Sequence, residues 1–256
     1  MISVRDMHAG SNVRINNKNP DNPIKDETML RTLARRAVLA LALIFAYGGP
    51  ANADLIQFQG TTPDGPVDAT AEFTLGNGTL KIVLTDLLQN PTSDGQLISG
   101  ISFNVSGASG SSVLASASGL DSFIDSQNGS YTAGVASTLP HWSLLSSGDL
   151  TTLSGQKPNE LIIGPDDHGG FDPALGKYSD ANSSISQHNP VVLGTGTFDL
   201  SIPGVTGSSI ISEVSMQFGT AGYSLDPVSV PEPSSLTLSA LPIVLMGLAA
   251  LRRKLA

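Results

Sequence analysis

The chain has 256 residues, no cysteine and a formal charge of −9 at pH 7. Without cysteine there are no disulfides and no thiolate metal sites. Of 13 Lys and Arg only Lys81, Lys157 and Lys177 fall between Asp54 and Val230, against 17 acids, so that stretch alone carries −14; such a surface repels phosphate backbones and excludes nucleic acid as a partner.

Residues 1–28 are polar, rich in Asn and charge, and lack apolar periodicity. They are expected to be disordered, or an extension ahead of a true start at Met29. Residues 29–53 read as a signal peptide. Arg31, Arg35 and Arg36 precede an apolar run of eleven at 37–47, which Gly48-Gly49-Pro50 ends. Ala51 and Ala53 then stand at −3 and −1, which puts cleavage before Asp54.

Residues 54–229 are expected to form one extracytoplasmic domain of all-β class, an antiparallel β-sandwich of jelly-roll-like form. β-branched or alternating runs recur at 55–59, 70–75, 80–84, 97–105, 112–117, 130–135, 161–163, 191–202 and 210–218. Turn formers separate them, and Asn77-Gly78 between two such runs predicts a hairpin. No helical periodicity appears. The stretch 148–190 carries Pro158, Pro165, Pro173 and Pro190, and is expected to form long loops crossing one end of the sandwich.

Several groups in this domain could carry chemistry. Asp166, Asp167 and Asp172 lie on a Gly-rich loop, with Asp180 close behind. Clustered carboxylates supply oxygens to Ca²⁺, which takes six to eight of them; the same residues also suit solvated turns. The spacing is not that of an EF-hand. His141, His168 and His188 have no zinc-motif spacing. No G-x-S-x-G elbow marks a serine hydrolase, and nothing singles out a glycosidase pair among Glu72, Glu160, Glu213 and the aspartates. Trp142, the only tryptophan, with Tyr131, Tyr178 and Tyr223, offers either sugar stacking or core packing.

The C-terminal residues 230–256 hold three features in order. Pro231-Glu232-Pro233 is followed by an apolar stretch at 236–251 and then by Arg252-Arg253-Lys254. As a helix the apolar stretch spans about 24 Å, the short end for crossing a bilayer, with the cations left on the cytoplasmic side. This tail resembles the PEP-CTERM sorting signal of Gram-negative bacteria. The resemblance implies recognition by an exosortase-like membrane processing enzyme at the inner membrane and release to the cell surface or exterior. It also implies an association with exopolysaccharide and biofilm.

The expected function is thus that of an exported, non-enzymatic envelope or matrix protein without a resident cofactor. A secreted glycan-active hydrolase and a calcium-dependent carbohydrate-binding module are the alternatives. Mass spectrometry of the exported protein is expected to find Asp54 at the mature N-terminus. Terminal sequencing of the unprocessed precursor is expected to start at Met29; a start at Met1 contradicts that reading.

Overall fold

The computed structural model describes residues 53–154 and 158–228. The extension 1–28, most of the signal peptide including Ala51, and the sorting tail with its expected helix lie outside the described residues. Among the described residues no helix is long and apolar enough to cross a membrane.

The fold is all-β, as the alternation predicts. In chain order the strands begin with β1 (Ala53–Thr62), β2 (Gly65–Leu75), β3 (Thr79–Asp86), β4 (Ile98–Val105) and β5 (Val113–Ser122). There follow β6 (Val135–Thr138), β7 (Ser143–Leu144), β8 (Asp149–Thr151) and β9 (Ile162–Ile163). The last are β10 (Val191–Leu193), β11 (Thr195–Ser201), β12 (Ile211–Phe218) and β13 (Tyr223–Leu225). The only helical pieces described are a 3-10 turn at Asp94–Gln96 and one four-residue helix, α1 (Ser183–Ser186). The Asn77-Gly78 hairpin forms as expected: Leu75 faces Leu80 across β2 and β3, and Gly76 N–H donates to Thr79 O at 2.9 Å.

The strands join in one hydrogen-bonded path, β1-β2-β3-β11-β5-β10-β9-β4-β12-β13, with β6 on β5, β8 on β4 and β7 on β8. Every strand pairing is antiparallel except β9 with β10, which is parallel. The long segment between those two strands supplies the crossover that a parallel pair needs. The path curls over one interior. Period-two alternation turns Val67, Ala69, Ala71, Phe73 and Leu75 of β2 inward, and Leu80, Ile82 and Leu84 of β3 with them. Phe73 on β2 meets Phe103 on β4 edge-on, with ring centroids 5.7 Å apart, although several strands separate them in the path. Trp142 packs on Phe198 of β11 at 4.6 Å.

A second, smaller core lies on the other face of β9 and β10. Ile162 and Val192 point into the main interior. Their neighbours Leu161, Ile163, Val191 and Leu193 point outward, where Tyr131, Tyr178 and Ile185 cover them. The 148–190 stretch therefore does not simply cross one end of the domain: its second half lies on the outer face of the sheet. The strand expected over 191–202 breaks at Gly194, whose φ of 69° favours glycine. The ring of Phe171 lies 2.8 Å from where a Cβ would stand there. The strand expected at 130–135 reduces to a single bridge, Ile124 to Tyr131, before β6 begins.

Phe198 is fully buried at the centre of the main core. Phe198→Ala is expected to cost about 3–5 kcal/mol of unfolding free energy, read as a lower urea midpoint at unchanged m-value.

Candidate functional site

The acidic loop after β9 was the foremost sequence candidate, and Asp166 is its centre. Asp166 is 1% exposed. Its Oδ2 accepts from Tyr131 Oη at 2.6 Å, and its Oδ1 accepts from His168 N–H at 2.9 Å and Gly170 N–H at 3.2 Å. Burial and then the bond to Asp166 push the Tyr131 phenol far above its ordinary pKa, so Tyr131 stays a donor. Tyr178 packs its ring against Tyr131 at a tilt, with centroids 5.2 Å apart, and donates to Gly164 O at 2.9 Å. The chain approaches itself so closely at Gly164 that a Cβ there would stand 2.1 Å from Leu88 O.

Of the four candidate calcium ligands, the fold brings only Asp166 and Asp167 together. With His168 they form one group whose ligand atoms lie within 4.8 Å of one another. Asp167 is half-buried; the Lys177 N–H and then the His168 ring, each 2.9 Å from its Oδ1, hold its carboxyl below its usual value. Asp172 accepts from Ala174 N–H at 2.9 Å, and Asp180 accepts from Asn90 Nδ2 at 2.9 Å. The group thus offers two carboxylates, one of them accepting three hydrogen bonds from the chain's own donors, and an imidazole, where Ca²⁺ takes six to eight oxygens from carboxylates, carbonyls and water.

The histidines do not converge: among the described residues no ligand group joins two of them. His188 directs Nδ1 to Pro158 O at 2.6 Å and Nε2 to Asp94 Oδ2 at 3.7 Å. Nδ1 is thus taken up by a backbone carbonyl, and Nε2 faces a carboxylate rather than a serine. Burial pushes Asp94 up, but Ser184, Thr220, His188 and Ser93 together hold it below its ordinary value.

Two acids that the sequence did not distinguish are the most perturbed. Glu160 is 2% exposed and has a φ of 60°, a backbone conformation uncommon for such a residue. Its N–H donates to Pro190 O at 2.7 Å, its carbonyl accepts Trp142 Nε1 at 2.9 Å, and its Oε2 accepts His141 N–H at 3.0 Å. Burial pushes its pKa up to about 7; the His141 bond pulls against this and the nearby Asp121 carboxylate adds to it. Asp86 continues the inward row of β3 after Leu84. It accepts from Leu88 N–H at 3.0 Å and from Gly164 N–H, and burial raises it well above the usual range. The period-two row Leu80, Ile82, Leu84 is the one local signal that points to Asp86; none marks Glu160, whose burial comes from segments distant in sequence.

The aromatic side chains offered to a sugar go elsewhere. Trp142, Tyr131 and Tyr178 are buried, and only Tyr223 is exposed. A cavity of about 440 Å³ lies between the β4–β5 and β7–β8 connections beside Phe103, Asn104, Leu144, Ser146 and Ser147. No carboxylate lines it. Comparison of the chain with protein-family models, curated proteins and solved structures found no match.

Glu160 has a folded pKa near 7, above its ordinary 4.5. Its contribution to stability is therefore full below pH 4.5 and lost as pH rises through 7. Thermal unfolding is expected to show a lower Tm at pH 8 than at pH 5, and Glu160→Gln to shrink that drop. Asp86, shifted in the same direction, accounts for part of the fall that remains.

Proposed function

We propose that the chain is an exported envelope protein delivered by an exosortase-like system, whose β-domain serves a structural, matrix-associated role rather than a chemical one. One observation carries this reading: Pro231-Glu232-Pro233, an apolar stretch at 236–251 and Arg252-Arg253-Lys254 stand in that order behind the domain. The stretch matches a short bilayer span with its cations left in the cytoplasm. The signal at 29–53 sends the domain to the opposite side.

The interior supports the non-enzymatic half of the reading. Asp94, Glu160 and Asp166 accept hydrogen bonds from the chain's own donors, and no two carboxylates share the lining of the cavities beside Phe103, Leu75 and Trp142, of about 340 to 440 Å³. A retaining or inverting glycosidase needs such a pair. In this reading the curled sheet is a sandwich of jelly-roll-like form, filled with side chains, whose outer surface meets other matrix components. Exopolysaccharide is the proposed contact. A domain with three cations and 17 acids favours neutral chains over acidic ones.

Replacing Pro231, Glu232 and Pro233 together by Ala is expected to trap the protein in the inner membrane with its tail uncut. Fractionation and mass spectrometry of the termini read the result, with the parent chain appearing at the surface or in the medium. A parent chain recovered uncut from the cytosol contradicts the proposal.

A further inference from the structure

β4 runs between β12 and β8, and one row of side chains crosses all three strands. The register sets Asp149 of β8 opposite Ser102 and Thr151 opposite Gly100; on the other side Ser215 and Gln217 of β12 face the same two residues. Ile101, Leu150 and Met216, which alternate with them, point into the main core, so the row stands on the outer face of the sheet. Ser102, Asp149 and Gln217 are each half-buried there.

These three side chains form a hydrogen-bonded relay. Ser102 Oγ donates to Asp149 Oδ1, and Gln217 Nε2 donates to Ser102 Oγ at 3.2 Å. Ser147 Oγ donates to Asp149 Oδ2 at 2.7 Å and holds the carboxylate in place. Gln217 does not stand opposite Ser102, and it reaches that hydroxyl by lying across Gly100. A Cβ at Gly100 would stand 2.5 Å from Gln217 Oε1 and 2.8 Å from Thr151 Oγ1. Any other residue there would push the amide away, and a glycine inside a strand marks such a close approach. A hydroxyl bonded to a carboxylate is a nucleophile with its base in place. The group on its other side is an amide, whose carbon is one bond from the nitrogen that touches the hydroxyl. Holding two groups at that range replaces an encounter by a small movement.

We propose that Ser102 and Gln217 join as an intramolecular ester, with Asp149 as the general base. Ser102 Oγ attacks Gln217 Cδ as its proton passes to Asp149. The new C–O bond forms and the Cδ–Nε2 bond breaks. Asp149 returns the proton to the departing nitrogen, which leaves as ammonia. The step needs no oxidant, metal or second substrate. The Thr151 hydroxyl, bonded at rest to Ser99 O at 3.0 Å, stands over the same glycine as Gln217 Oε1 and is the donor that the developing oxyanion recruits. The link ties β4 to β12 in a chain that has no cysteine to do so. It depends on nothing in the sorting route, so either reading can fail and leave the other standing.

Protease digestion of the full chain and mass spectrometry are expected to find the peptides that carry Ser102 and Gln217 linked, at the sum of their masses less one ammonia. Hydroxylamine, which cleaves esters and spares amides, is expected to part them. Ser102→Ala is expected to abolish the link. Asp149→Asn is expected to slow its formation by at least about a hundredfold, as loss of a general base does. Two unlinked peptides at full mass, from a parent chain whose Trp142 emission shows it folded, would overturn the proposal. So would a link that survives Ser102→Ala, or one that forms at the parent rate in Asp149→Asn.

Discussion

β9 and β10 are buried on both faces, and the rest of the domain is arranged around that fact. Ile162-Ile163 and Val191-Val192-Leu193 have no polar face to give to water. A strand of this kind needs cover on two sides. The inner cover is the curled sheet, with Ile98, Ile101, Phe198 and Met216 in the main core. The outer cover is the irregular chain from 164 to 188 with the turn that carries Tyr131, which together supply Tyr131, Tyr178 and Ile185. The acidic loop is thus part of the domain's packing, held down by the Tyr131–Asp166 and Tyr178–Gly164 bonds.

The same economy governs the charges. Among the described residues no lysine pairs with a carboxylate; the ion pairs there use His168 and His188. The aspartates find backbone N–H groups instead. Asp86, Asp125, Asp166 and Asp172 each accept from the N–H two residues on, as do Asn128 and Asn182 through their side-chain oxygens. This is the Asx-turn, in which a short side chain takes the place of a backbone acceptor. It explains how a domain with so few cations holds so many acids in its loops. It also explains why Asp172 does not join Asp166 and Asp167: it turns toward its own backbone at Ala174. Gln96 plays a similar part at the 3-10 turn, accepting from Thr92 and Ser93 while donating to Pro66 O at 2.9 Å.

Much of the architecture was legible because its signals are local. The rows Val67-Ala69-Ala71-Phe73-Leu75 and Leu80-Ile82-Leu84 alternate without interruption, and the two residues Asn77-Gly78 between them leave one way to join them. The run at 191–202 misleads because its apolar alternation continues through Gly194, and only the packing of Phe171 against that glycine shows why the chain turns there. Trp142 illustrates the same limit. Its residue type allows a sugar platform or a core residue, and the choice falls to Phe198 and the Glu160 carbonyl, which come from distant parts of the chain.

The residues by themselves determined that the domain is all-β, that it is strongly acidic and free of disulfides, and where its first hairpin closes. They also carry the two terminal patterns on which the proposed export route rests, since targeting patterns are read in linear order. Tertiary structure decided which acids are buried, which aromatics are core, and that β9 and β10 run parallel with cover on both faces. Those outcomes depend on contacts between segments far apart in sequence, such as Asp86 with Gly164 or Gln57 with Val228. Local propensity has no term for such contacts.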